Sequence, residues 1–151
     1  MNDHDATNHD DLMGQPLPPL TLEAWQNGIT SLDDLAGRII VIDFWATWCQ
    51  PCLGAIPKNN RLAEEYANRG VTVLGICATT GSEKMEEIAT ERGIQYPIAK
   101  DMGKASEKAL GVRWFPCYFL INRDGTVYAA RITDDDVEEA LRRLPEWETA
   151  Q

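Results

Sequence analysis

The chain has 151 residues, of which 44% are hydrophobic and 25% charged, a composition that fits one soluble globular domain. A domain of this length can bury roughly 70% of the surface its unfolded chain exposes, so it needs neither a metal nor a disulfide network to fold. Acidic residues outnumber basic ones 24 to 14 for a net charge of -10, with no clustered lysine and arginine, which argues against nucleic acid and anionic membrane as partners.

Residues 1–14 are rich in aspartate and carry both histidines, with little apolar surface to offset the entropy of ordering. They are expected to form a disordered acidic tail, and residues 15–151 a single folded domain. His4 and His9 are read as solvated tail rather than metal ligands. The tail has neither the basic nor the apolar region of a secretory signal, and no run reaches membrane-spanning length. A cytoplasmic location with no stable membrane insertion follows, the alternative being an exported or periplasmic protein whose leader has been removed.

In chain order, the proline-rich segment 18–22 predicts a short edge strand, where proline is tolerated. After a turn ending at Gly37, Ile39 to Trp45 is nearly unbroken apolar sequence, as in a strand buried on both faces, and Asp43 is its one charge. A helix is expected from Cys52 to Arg69, with Ile56, Ala63, Tyr66 and Ala67 inward, a kink at Pro57 and a stop at Gly70. Residues 71–78 predict a second buried strand. Ser82 then caps a helix with Met85, Ile88 and Ala89 inward and Gly93 past its end. This β-α-β-α order implies a parallel sheet covered by helices.

The later half predicts a short helix over 104–110, then strands 117–121 and 126–130 joined by Asn122-Arg123-Asp124-Gly125, an antiparallel hairpin. The last helix is expected to start with Thr133 as N-cap and three aspartates in its first turn. Val137, Ala140, Leu141 and Leu144 form its inner face, and Glu138–Arg142 and Glu139–Arg143 its ion pairs.

Four cysteines are too few to staple a scaffold, and only Cys49 and Cys52 are close in sequence. Cys49-Gln50-Pro51-Cys52 falls where a buried strand ends and a helix begins. Unpaired amides and the positive helix end favour thiolate at Cys49, making it the candidate nucleophile. Cys52, one turn in and more buried, is the candidate resolving cysteine. Asp43 in an apolar strand is expected to have its pKa raised by desolvation, as a proton acceptor near neutral pH requires. Cys77 and Cys117 read as small core residues, although Cys117 follows Pro116 closely enough to be weighed as an oxidisable thiol.

The run Val41-Ile42-Asp43-Phe44-Trp45-Ala46-Thr47-Trp48-Cys49-Gln50-Pro51-Cys52 resembles the active-site strand of thioredoxins, and Trp114-Phe115-Pro116 resembles their cis-proline loop. Residues 15–151 align in order with the TlpA/ResA-like branch, including the Leu120-Ile121-Asn122-Arg123-Asp124-Gly125 hairpin. The resemblance implies a thioredoxin fold, an α/β architecture whose mixed sheet joins a parallel half to a C-terminal antiparallel hairpin. It implies a thiol-disulfide oxidoreductase that reduces client proteins without a bound cofactor, recharged by an upstream thiol or disulfide reductase, and acting as a monomer. It also implies that Asp43 takes the proton of Cys52, that Pro116 is cis, and that Phe115 docks the client chain within a surround of Trp48, Gln50, Pro51 and Trp114.

Ala55 stands where the cytochrome-maturation members usually carry glutamate, and Asp43 where they often carry asparagine, which places the chemistry nearer to thioredoxin. Zinc binding needs a second close ligand pair, which Cys77 and Cys117 do not provide. Two rival functions would use the same fold, a redox-inert client-binding adaptor and a thiol peroxidase. Thr47 precedes Cys49 by two residues, whereas the peroxidase pattern needs three.

Overall fold

The computed structural model describes residues 11–144. Its centre is β2 (Ile39–Trp45), in which every residue is buried. Four β-branched residues open this strand and suit a pleated surface covered on both sides. β2 pairs in parallel with β3 (Val71–Cys77) and antiparallel with β5 (Cys117–Ile121). With β1 (Leu22–Gln26), β4 (Ile98–Asp101) and β6 (Val127–Ile132), these make a six-stranded mixed sheet in the order β1-β4-β3-β2-β5-β6. The expected α/β thioredoxin-like architecture is therefore present.

Several elements differ from expectation in instructive ways. β1 is an edge strand, as predicted, but begins at Leu22, after the prolines that cannot donate to a ladder. β4 was not anticipated, because four residues between Pro97 and a turn carry too little periodicity to register. The long kinked helix is two helices, α1 (Gln50–Gly54) and α2 (Ile56–Glu65), with Ala55 as C-cap of one and N-cap of the next. Pro57 has no N–H for the Leu53 carbonyl, so it sits in the first turn of a new helix instead of bending an old one.

Ala67 is exposed rather than inward, because the helix ends at Glu65 and a 3₁₀ turn shifts the phase. Asn59 and Leu62 take the inner face with Ile56. Ser82 makes no side-chain cap; a 3₁₀ turn leads into α3 (Met85–Arg92), which Gly93 ends in the left-handed conformation. The true cap of α4 (Ala105–Leu110) is Asp101, whose two oxygens accept Ser106 N–H at 2.7 Å and Glu107 N–H at 3.0 Å.

The last helix, α5 (Val137–Arg143), starts later than predicted, with Thr133 bonded to Asp136 ahead of it. Asp134 and Asp135 are spent instead on Lys58 Nζ, at 3.3 and 3.4 Å. The pairs Glu138–Arg142 and Glu139–Arg143 form as expected.

The boundary drawn at Gly14 lies too late. Leu12 is buried, Gly14 N–H donates to Val127 O at 2.8 Å, Val127 N–H donates to Gln15 O at 2.9 Å, and Leu17 N–H donates to Gly125 O at 2.9 Å. One apolar side chain and a run of backbone bonds along β6 hold a segment whose composition alone reads as tail. The rest of that tail, with His4 and His9, lies outside the described residues.

Candidate active site

The parallel pairing of β2 with β3 sends both strand ends to one side of the sheet, and α1 starts just beyond β2. Cys49 is the N-cap of α1, and its Sγ accepts Cys52 N–H at 3.2 Å. An extended backbone at Cys49 and Pro51 in the first turn set this geometry locally. Cys49 and Cys52 form a disulfide with a Cα–Cα separation of 5.2 Å, in the range a bridge requires without backbone movement. Exposure is 6% at Cys49 and 1% at Cys52, so the outer sulfur is the first that another molecule can reach.

Of the expected surround, Trp48 packs against Phe115. Its ring meets Trp48 edge-on at 5.6 Å and lies 6.1 Å from Phe44. The Phe115–Pro116 peptide is cis. Trp48 and Trp114 are large apolar side chains left exposed, and Gln50 and Pro51 are exposed as well. Trp48 is held by its Nε1–H, which donates to Thr80 O at 3.1 Å, while Thr47 Oγ1 donates to Gly81 O at 2.8 Å. Gly81 is in the left-handed region at φ +83°, and a Cβ there would come within 2.9 Å of Trp48 Cδ1. A side chain would push this loop off the tryptophan.

In β2, Asp43 is buried opposite Gly75 of β3 and Tyr118 of β5. Its Oδ2 accepts Asn59 Nδ2–H at 3.0 Å, while Oδ1 is buried without a hydrogen-bond partner among the described residues. Desolvation, with a smaller push from the Asp134 charge, raises its pKa from 3.8 to about 8. Tyr118 OH donates to Asn59 Oδ1 at 3.1 Å, and Tyr96 OH lies 3.5 Å from Asn59 Nδ2.

Asn59, Tyr96 and Tyr118 were not expected from the sequence. The available signal was Asn59 itself, a polar residue three places after Ile56 on the inner face of α2. Arg131 was missed as well. It is buried in β6, and its Nε–H is shared between Leu110 O and Gly111 O, both at 3.1 Å, which ties down the start of the loop to Pro116.

Cys77 and Cys117 are both fully buried, and burial pushes each thiol up to about 12. Maleimide labelling of the reduced native protein at pH 8 is therefore expected to modify two of the four cysteines. Native labelling of Cys117 would show that its loop opens. Among the described residues, no group of three or more His, Cys, Asp or Glu could hold a metal, and no helix is long and apolar enough to cross a membrane.

The model of the AhpC/TSA family matches residues 13–130. The chain belongs to the AhpC/TSA family. This family member is 28% identical over 135 residues to the thiol-disulfide oxidoreductase ResA of Bacillus anthracis, covering 87% of this chain and 78% of the relative. ResA of Geobacillus thermodenitrificans matches at the same identity and coverage. Among solved structures, a thiol:disulfide interchange protein DsbE from Chlorobium tepidum superposes with a TM-score of 0.75 at 25% identity, covering 91% of this chain and 96% of the other. A secreted Mycobacterium tuberculosis disulfide oxidoreductase shares the fold, with a TM-score of 0.60 at 23% identity over 74% of this chain and 86% of the other. With the bridged Cys49–Cys52 pair, these likenesses make this AhpC/TSA family member a thiol-disulfide oxidoreductase of the TlpA/ResA-like branch, a family of redox enzymes that implies disulfide-bearing clients.

Proposed function

We propose that the protein works as a protein-disulfide reductase. In its dithiol form, Cys49 thiolate attacks a client disulfide, forming a mixed disulfide and releasing one client sulfur as thiolate. Cys52 gives its proton to Asp43 and attacks Cys49 Sγ. The bond to the client breaks, the second client sulfur leaves as thiolate, and Cys49–Cys52 becomes the disulfide. Two electrons pass from protein to client, and an upstream thiol or disulfide reductase returns them. The single observation that carries this reading is that one strand-to-helix junction brings a reachable sulfur bridged to a buried one just beyond a strand that holds a buried carboxyl.

Phe115 and Trp48 offer an apolar ledge for the client chain, bordered by Gln50, Pro51 and Trp114. The paired cysteines weigh against a redox-inert adaptor. Commitment of the Thr47 hydroxyl to Gly81 O weighs against a peroxidase that needs it beside the thiolate. In compartment, export fits the relatives better than the cytoplasmic expectation, one neighbour being described as secreted. A monomer is proposed.

No histidine lies between the cysteines to hold a stable thiolate, so the protein should be reducing. Equilibration with glutathione is expected to give a potential near the thioredoxin value of about -270 mV, and a value near about -120 mV would reverse the proposed direction.

A further inference from the structure

Asparagine in the core is costly unless its amide is satisfied on both sides. Asn59 meets that condition. Oδ1 accepts the Tyr118 hydroxyl, and Nδ2 donates to Asp43 Oδ2 and faces Tyr96 OH at longer range. The amide could be turned either way in isolation, but Tyr118 fixes it. Burial raises the pKa values of both phenols, so they stay protonated, and Oδ1 is the only atom of the amide that can accept Tyr118 O–H. Nδ2 must then point at Asp43.

That orientation makes the two carboxyl oxygens unequal. In a neutral acid the carbonyl oxygen is the better acceptor, so the Asn59 N–H selects Oδ2 as the carbonyl and leaves Oδ1 to carry the proton. Oδ1 is the buried oxygen without a protein partner among the described residues. In the ionised state the same N–H is the one hydrogen-bond donor that the described residues bring to the carboxylate. We propose that Asn59, locked by Tyr118, is a positioning residue that stabilises the Asp43 carboxylate and reserves Oδ1 for proton exchange with the resolving thiol. This rests on the reading of Asp43 as the acceptor of the Cys52 proton.

The other groups around Asp43 are few. Asp134, ahead of α5, opposes its ionisation, and Lys58 is paired with Asp134 at 3.3 Å. Cys77 of β3 and Cys117 of β5 interact with Asp43 as thiols that stay protonated to about pH 12. None of these replaces the Asn59 donor.

The test titrates the Asp43 carboxyl by carbon-13 NMR in the oxidised protein and follows the pH profile of insulin reduction in the same variants. Asn59→Leu keeps the branched heavy-atom framework and removes the donor. Its Asp43 midpoint should rise by about one pH unit, with the ascending limb of the reductase profile displaced equally and KM unchanged. Tyr118→Phe, which removes one hydroxyl, should move both in the same direction by less. An unmoved midpoint and limb in folded Asn59→Leu would overturn the proposal. Should that variant fail to fold, an unmoved limb in Tyr118→Phe does so. Asp43→Asn separates the two levels: if it keeps the wild-type pH profile, the proton-acceptor reading falls, whatever Asn59 does to the midpoint.

Discussion

Replacing Cys49 by serine is expected to lower insulin-reduction turnover by at least about a thousandfold, because a hydroxyl supplies no thiolate at neutral pH and no first bond to the client can form. Cys52→Ser should fail differently. Its outer sulfur can still attack, but nothing resolves the product, so clients accumulate as mixed disulfides on Cys49. The asymmetry follows from exposure, 6% against 1%, and from the position of Cys49 at the start of α1. Non-reducing electrophoresis and mass mapping of the trapped species check it. Adducts on Cys52 in the Cys49→Ser variant at yields like those of Cys52→Ser would invert the assignment of roles. The trapped clients would also identify what the protein acts on.

The second large effect is on stability. Asp43 has a folded pKa of about 8 against 3.8 for an ordinary aspartate, so between those values the folded protein binds a proton that the unfolded chain does not. Stability contributed by this group is therefore fully present below pH 4 and is lost progressively as pH rises towards 8. A shift of this size corresponds to roughly 6 kcal/mol across the window. Asp43→Asn removes the charge while keeping the shape. It is expected to be more stable than the wild type by on the order of 3–5 kcal/mol at pH 9 and to differ by no more than about 1 kcal/mol at pH 4. Denaturant unfolding of the oxidised proteins at the two pH values measures this, and a gain equal at both would remove ionisation as its cause. The role proposed for Asp43 would account for so costly a carboxyl in β2: a base that must collect a thiol proton near neutral pH cannot have a surface pKa.

The parts of this molecule that could be read from sequence are those whose signal is local. The apolar run of β2, the Asp-Gly turn of the β5–β6 hairpin and the Cys49–Cys52 spacing each sit within a few residues, and each is present in the fold. β4 failed because four residues give no period, and α5 because its aspartates are used by Lys58 from another element. The Asp43–Asn59–Tyr118 cluster failed for a deeper reason. Asn59 and Tyr118 are 59 positions apart, and nothing at either position announces the other. Asp43 alone was anomalous enough to be singled out, whereas its partners became visible only when α2 was laid across the sheet.

The segment running beside β6 has a consequence beyond its own packing. β6 ends the sheet, and its outward amides and carbonyls would otherwise be a template for a strand from another chain. The bonds of Gly14, Gln15 and Leu17 to residues 125–127 occupy part of that template, and Pro16 pairs with Thr126 without an amide hydrogen of its own to offer outward. The proline-rich approach to the domain thus serves as a guard against edge-to-edge aggregation. A fusion partner or cleavage site introduced between Leu12 and Leu17 would reopen it.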